Sequence, residues 1–144
     1  MVQSTNQQAD ATQASRTSTS VVSDRAAIEV MVQTYFDGLY EGDADKLAQA
    51  FHPTSALTGI IDGKLVVMMR DQWLEMVRSR PSAKSRGLAR EDAILTIDLS
   101  GPTMAFVKVK CQLPPRYFID QLSLLKIDGR WQVAQKVYQT DIRD

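Results

Sequence analysis

The first periodic segment of the chain has apolar residues at helical spacing. It follows Ser23 and Asp24, which are favourable residues at the start of a helix. One face of this helix carries Ile28, Met31, Val32, Tyr35, Phe36 and Leu39. Gly42 supplies the left-handed residue that ends a helix, and Asp43 can cap the next one. The pattern therefore predicts two helices joined at Gly42-Asp43.

Two shorter segments also have a helical pattern. The helix after Asp43 ends at His52, because Pro53 disfavours helical geometry in the residue before it. A third helix begins with Asp71 as its cap. The face of this third helix is formed by Trp73, Met76 and Val77. The chain is thus expected to have three helices in its first 80 residues.

The remaining apolar segments have the short period and the bounding turns of strands. A hairpin of residues 55–61 and 64–69 is closed by Asp62-Gly63, a strong two-residue turn signal. Four further strands follow at about 92–99, 103–112, 117–127 and 130–139. The order of helix, helix, hairpin, helix and four-strand meander predicts an α+β fold, with helices packed on one face of a curved, mostly antiparallel sheet.

Composition bounds the domain and its partners. Residues 1–22 form a polar leader, in which thirteen of the first 20 residues are Ser, Thr, Gln or Asn, and we expect it to be disordered. Residues 23–144 are expected to form one domain. Lys plus Arg and Asp plus Glu number 17 each, so no overall charge favours nucleic acid or an anionic membrane. With no membrane-length apolar run and one cysteine, Cys111, we expect a cytoplasmic protein.

Motifs for several chemistries are missing from the sequence. It contains no glycine-rich phosphate loop, no HExxH and no Gly-x-Ser-x-Gly elbow. One histidine and one cysteine do not suffice for a transition-metal site. We therefore expect neither a metal nor a cofactor.

The element order and two segments carry a resemblance to a known superfamily. These segments are Phe51-His52-Pro53 and the run from Asp120 through Trp131 to Lys136-Val137-Tyr138. They resemble the nuclear transport factor 2-like superfamily, the cone-shaped fold of SnoaL-like proteins, ketosteroid isomerase and scytalone dehydratase. Within it, the chain is most similar to the putative lumazine-binding family, over about residues 24–140. The resemblance implies three helices closing one side of a strongly curved sheet, and a homodimer joined through the outer sheet face.

The resemblance also implies a conical, mostly apolar pocket for a small hydrophobic or aromatic ligand. Its expected ligand-binding residues are Tyr35, Trp73, Phe118 and Asp120. Trp73, like Trp131, is also typical of a core or dimer contact. A basic segment, residues 78–90, could gate this pocket and attract anions, or it could be an ordinary solvated loop.

Ketosteroid isomerase offers a specific comparison. Tyr35 stands eight positions before Asp43, which matches the oxyanion-binding tyrosine of that enzyme. Asp120 resembles its protonated acid, and on a strand it shares a face with Phe118 and Leu122. Burial on this apolar face is expected to raise the pKa of Asp120 and to favour the neutral donor form. The resemblance thus implies two oxyanion donors.

The catalytic base of that enzyme has no matching carboxylate here. His52 is the alternative base, because its ordinary pKa lies near neutrality. Each of these residues also has a structural interpretation: Tyr35 as a core tyrosine, Asp120 as an anchor for a hydrogen bond, and His52 as a rim residue bonded to the backbone.

Three functions stay open from the sequence. The first is a small-molecule-binding domain. The second is a cofactor-independent isomerase, dehydratase or cyclase that uses Tyr35 and Asp120 as oxyanion donors and His52 as a possible base. The third is a protein-interaction module, which a large exposed apolar patch outside a dimer interface would favour.

Overall fold

The structure, a computed structural model, describes residues 2–143 and the side-chain surroundings of residues 21–143. Its helices are α1 (Val2–Glu41), α2 (Ala44–Ala50) and α3 (Arg70–Ser79). Its strands are β1 (Phe51–Ile61), β2 (Lys64–Met69), β3 (Ala93–Leu99), β4 (Met104–Leu113), β5 (Arg116–Ile127) and β6 (Arg130–Ile142). This is the predicted order of elements, and the α+β cone fold is confirmed.

The start of the first helix differs from the prediction. Helix α1 begins at Val2 rather than beside Ser23 and Asp24. Asp24 lies within α1, where its carboxylate accepts hydrogen bonds from Lys126 and Trp131 instead of capping a helix. Met1 and the side chains of residues 2–20 lie outside the described residues, so the disorder expected for the leader, 1–22, stays a prediction.

The six strands form one sheet in the order β2-β1-β6-β5-β4-β3. Strands β3 to β6 form the predicted antiparallel meander, and β1 and β2 form the predicted hairpin. The long connection through α3 allows β1 to pair in parallel with β6, which joins the hairpin to the meander. The face of the sheet against which the helices pack is called the inner face below.

Gly42 and Asp43 join α1 to α2 as predicted. Gly42 has φ +66°, and a Cβ atom there would lie 2.8 Å from the Cβ of Ser82, so only glycine fits without a shift. The Asp43 carboxylate accepts hydrogen bonds from the backbone N–H groups of Asp45 and Lys46, at 3.0 and 3.2 Å. These bonds satisfy two N–H groups that the first turn of α2 leaves free.

Two further predicted helix boundaries were wrong. Helix α2 ends at Ala50, and Phe51 already has extended geometry and pairs with Val133 of β6. The reason is packing, because the buried ring of Phe51 lies 4.9 Å from that of Trp73. At α3 the cap position is Met69, without a side-chain bond, and Asp71 instead pairs with the side chain of Arg70.

The core lies between the three helices and the inner face of the sheet. Its largest fully buried apolar side chains are Tyr35, Phe51, Ile28, Leu47, Leu122 and Leu124. In α3, Leu74 is buried in addition to Trp73 and Val77, whereas Met76 is 36% exposed. No helix within residues 2–143 has the length and apolar character needed to cross a membrane.

Candidate functional site

An irregularity in β6 directs a lysine to the inner face of the sheet. Trp131 and Val133 are buried on this face, and simple alternation would place residue 135 there next. The register shifts, however, because Leu124 pairs with Val133 while its neighbour Ser123 pairs with Gln135. This bulge reverses the alternation, so that Lys136 is buried instead, with 6% of its surface exposed.

Lys136 completes a buried chain of hydrogen bonds. The Lys136 ammonium donates to the hydroxyl oxygen of Tyr35 at 2.9 Å, and the Tyr35 hydroxyl donates to Oδ2 of Asp120 at 2.5 Å. Lys136 Nζ lies 3.6 Å from the same carboxylate oxygen. Tyr35 and Asp120 are both 0% exposed. The three groups therefore form one polar cluster within an apolar core.

The surroundings of this cluster combine a cation with aromatic rings. Lys136 Nζ lies 5.3 Å from the ring centre of Trp73 and 5.0 Å from that of Tyr138, within the range of cation–π attraction. Burial and the negative charge of Asp120 raise the pKa of Tyr35 well above its ordinary value. The phenol therefore stays neutral at ordinary pH. Oδ1 of Asp120 has no hydrogen-bond partner among the described residues.

A neighbouring thiol has similar surroundings. Cys111 Sγ lies 3.8 Å from Oδ2 of Asp120 on the adjacent strand. Burial, followed by the nearby carboxylate, raises the pKa of Cys111 far above its ordinary value. Cys111 is therefore a neutral thiol and a weak donor, not a thiolate nucleophile.

A cavity of about 250 Å³ lies beside the cluster, between α1, α3, the β1–β2 hairpin and strands β4 to β6. Its wall is mostly apolar. The apolar residues that line it are Tyr35, Leu39, Leu57, Ile61, Val66, Met68, Trp73, Met76, Cys111, Leu113, Phe118 and Tyr138. The remaining four lining residues are Arg80, Arg116, Lys136 and Thr140. The cavity is slightly smaller than the roughly 300–1,000 Å³ of typical ligand sites.

The structure brings most of the sequence-predicted residues together. Tyr35, Trp73 and Phe118 line the cavity, and Asp120 lies behind Tyr35 and is bonded to it. His52 is not one of the residues that line the cavity. Its Nδ1 atom lies 2.8 Å from the hydroxyl of Thr54, at the start of β1.

Sequence reasoning missed Lys136, and with it the cation of the cluster. Alternation from buried Trp131 would place Lys136 on the outer face, and the bulge that reverses this alternation is not visible in the residue pattern. It also missed Arg116, which lies at the start of β5.

Of the basic segment 78–90, only Arg80 lines this cavity. Within residues 21–143, no group of three or more His, Cys, Asp or Glu side chains could hold a metal ion.

A family model described as putative lumazine-binding matches residues 23–139, most of the chain. The chain belongs to this family. Solved structures agree on the fold. A nuclear transport factor 2-like protein of unknown function from Silicibacter pomeroyi DSS-3 is 25% identical, with a TM-score of 0.76 over 84% of this chain and 98% of that one. A similar protein from Shewanella baltica OS155 is also 25% identical, with a TM-score of 0.74 over 85% and 97%.

Two further relatives carry functional names. A ketosteroid isomerase-like protein from Erwinia carotovora atroseptica SCRI1043 is 17% identical to this chain. Its TM-score is 0.64, over 82% of this chain and 96% of the Erwinia protein. At this identity the likeness concerns the fold alone. The aldolase FrzH of Cladobotryum sp is 23% identical over 116 residues, which are 79% of this chain and 89% of that protein.

Proposed function

We propose that this domain binds a small, mainly apolar molecule in the cavity beside Lys136. The observation that carries the proposal is the cavity itself, whose wall is mostly apolar and includes one buried ammonium group. Such a site matches the general form of small-molecule pockets, in which a few polar groups orient an apolar ligand.

The ammonium group of Lys136 determines which kind of ligand atom can bond to it. An ammonium has three N–H donors, of which one bonds to Tyr35 and a second faces Asp120. The third is available to an acceptor in the cavity. The Tyr35 hydroxyl, in contrast, already donates to Asp120. We infer that the ligand places a carbonyl oxygen or a similar acceptor against Lys136. Lumazine, the flat heterocycle of the family's description, has such carbonyl groups.

The test is a binding screen with two matched variants. Purified protein is titrated with lumazine and with other aromatic or heterocyclic carbonyl compounds, and the melting temperature and tryptophan fluorescence are recorded, since Trp73 lines the cavity. Val66→Phe fills the cavity, whereas Val67→Phe changes the adjacent residue, which is on the opposite face of β2. We expect binding to be lost in Val66→Phe and kept in Val67→Phe. Binding that is unaffected by Val66→Phe would place the ligand elsewhere.

A second candidate is a cofactor-independent enzyme that acts on a carbonyl compound as an isomerase, dehydratase, cyclase or aldolase. The likeness to an aldolase and the Lys136–Tyr35–Asp120 cluster favour it. In enolisation a C–H bond next to the carbonyl loses its proton to a base, and the carbonyl oxygen gains negative charge. The hydrogen bonds favour Lys136 as the donor to this oxygen, with Tyr35 and Asp120 behind it.

Binding ranks first because the base is missing from the cavity wall. None of the described residues that line it is Asp, Glu or His, and His52 bonds to Thr54 instead. The enzyme candidate is tested by NMR in deuterium oxide with a ligand found in the screen. Catalysed exchange of the protons next to its carbonyl, slowed in Tyr35→Phe and Lys136→Met, would support enolisation. Exchange at the rate without protein would contradict it.

We also propose that the protein is a homodimer that associates through the outer sheet face. Four apolar side chains on this face are more than half exposed, namely Ile60, Leu65, Val67 and Val137. They lie on the adjacent strands β2, β1 and β6, where Ile60 pairs with Leu65 and Thr58 pairs with both valines. These four residues are called the outer patch below. The cytoplasmic location expected from the sequence stays a prediction.

A further inference from the structure

Two arginines give one end of the cavity a positive charge. Arg80 and Arg116 line the cavity beside Lys136, and both also line an adjoining cavity of about 230 Å³, where Arg86 joins them. Neither cavity has an Asp or Glu among its described lining residues. Arg80, Arg116 and Lys136, which come from different parts of the sequence, thus line one cavity, and Arg86 adds a fourth cation in the adjoining one.

Arg80 and Arg116 have no acidic partner in the described part of the chain, unlike Arg78 and Arg90 nearby. Arg78 pairs with Glu75, and Arg90 pairs with both Asp37 and Asp92. Among residues 21–143, the structure shows no ion pair and no side-chain hydrogen bond for Arg80 or Arg116. Burial lowers the pKa of the Arg80 guanidinium, although the residue as a whole is exposed, so protein surrounds part of its charged group. An anion would compensate this desolvated charge.

Hydrogen bonds hold the backbone near both arginines. Arg80 follows α3 directly, and the loop after it is tied to α1, because the N–H of Lys84 donates to the carbonyl of Tyr40 at 3.0 Å and the Tyr40 hydroxyl donates to the carbonyl of Leu88 at 3.0 Å. Arg116 begins β5 and is paired there with Leu113 and Ile142. Both arginines thus lie next to elements that are bonded to the rest of the domain.

The polar groups of the cavity fall into two zones. Lys136, Tyr35 and Asp120 form the inner cluster, and Arg80 and Arg116 line the region shared with the adjoining cavity. Phe118 and Leu113 line both cavities beside the arginines. Burial and the charge of Asp120 raise the pKa of Tyr138, and the charge of Arg116 partly opposes them; the Tyr138 ring also lies 5.0 Å from Lys136 Nζ.

We propose that the ligand is a small organic acid, whose carboxylate is held by Arg80 and Arg116 while its apolar body and its carbonyl group extend toward Lys136. This inference rests on the proposed function and adds the charge and orientation of the ligand. The guanidinium fork matches a carboxylate with two parallel N–H···O bonds. A neutral ligand of the same shape would leave both arginines without a partner.

The experiment compares acids with their uncharged methyl esters by isothermal titration calorimetry. The probes are benzoate, phenylacetate and phenylpyruvate, each with its ester. The variants are Arg80→Gln, Arg116→Gln and the double variant. Arg78→Gln is the control, because it removes one positive charge at the end of α3, two residues before Arg80, at a residue that lines neither cavity. Circular dichroism confirms that each variant is folded.

We expect at least one acid to bind wild-type protein roughly tenfold or more tightly than its ester, as charge-assisted hydrogen bonds predict. Each single variant should lose part of this preference, the double variant all of it, and Arg78→Gln almost none. The affinity for the ester should stay constant throughout. Acid and ester that bind equally, or a preference that survives in the double variant, would overturn the inference and leave the proposed function standing. If no acid binds wild-type protein but a neutral compound of the binding screen does, the inference alone is overturned; if no compound of either experiment binds, both are overturned.

Discussion

At the scale of single residues, burial of the Lys136 ammonium group costs free energy, because the charge loses its contact with water. A charge of this kind is tolerated in an apolar core only with a compensating partner. Asp120 supplies the opposite charge at 3.6 Å, and Tyr35 bonds to both groups. Removing Lys136 or Asp120 alone would leave the other as an uncompensated charge. Removing the charges of both would leave an uncharged site around Tyr35.

This reasoning predicts a strong coupling between Lys136 and Asp120. We expect Lys136→Met to lower the free energy of unfolding by about 3–5 kcal/mol, because the Asp120 carboxylate loses its cation. Asp120→Asn should have a comparable effect. The double variant should be more stable than the sum of the two losses predicts, by at least about 1 kcal/mol. Urea unfolding of the four proteins measures this coupling, and additive losses would show that the pair does not act as a unit.

The same cluster shows what a residue pattern can and cannot predict. Tyr35 and Asp120 were predicted to lie together, and the distance of 2.5 Å between their oxygen atoms agrees, because helical and strand periodicity hold along α1 and β5. Lys136 follows a bulge, and one extra residue reverses which side chains face inward. Bulges depend on pairing with the neighbouring strand, so the sequence of β6 alone did not reveal this one.

At the scale of elements, Asp24 ties α1 to the end of the sheet. Its carboxylate accepts hydrogen bonds from Lys126 at 2.9 Å and from the indole N–H of Trp131 at 3.1 Å. Burial alone would raise the pKa of Asp24, but these bonds and the charge of Lys126 outweigh it and hold the pKa below the ordinary value of 3.8. The contact joins residues more than 100 positions apart, so it stabilises the tertiary arrangement and not a single helix.

The lowered pKa predicts how stability depends on pH. Because folded protein binds a proton at Asp24 less readily than unfolded protein does, this contribution is present above about pH 4 and is lost as the pH falls through the folded pKa. We expect Asp24→Asn to lower the unfolding free energy at pH 7 by about 1–2 kcal/mol and to flatten its decline below pH 4. Asp98→Asn, at an exposed position in β3, is the control. The unfolding free energies are measured in guanidinium. If those of wild type and Asp24→Asn fell in parallel below pH 4, this role would be contradicted.

Local sequence signals predicted some boundaries between elements correctly and others wrongly. Gly42-Asp43 was correctly predicted because both signals are local, a positive φ and a carboxylate that accepts from the N–H groups of Asp45 and Lys46. Phe51 starts a strand, where a continuing helix was predicted, because its pairing with Val133 and its contact with Trp73 come from distant parts of the chain. Element types and order were therefore predictable, while boundaries set by tertiary packing were not.

At the scale of the whole molecule, the two faces of the sheet have opposite roles. The inner face, under the helices, carries the core and the cavity with Lys136. The outer face carries the outer patch, whose four side chains are between 53% and 68% exposed. A contiguous apolar surface on a strand face is typical of a protein–protein contact. Dimerisation there would cover the outer patch, none of whose residues lines the cavity.

The dimer proposal is tested by the oligomeric mass of two variants of one strand. Val137 and Ile142 of β6 are both 53% exposed, but only Val137 belongs to the outer patch. We expect wild-type protein to sediment at twice the 16.1 kDa of the chain. Val137→Asp should shift it to the monomer, because each copy would bury an unpaired carboxylate, whereas Ile142→Asp should stay dimeric. A monomeric wild type, or a dimer that tolerates Val137→Asp, would show that the outer patch is not the dimer contact.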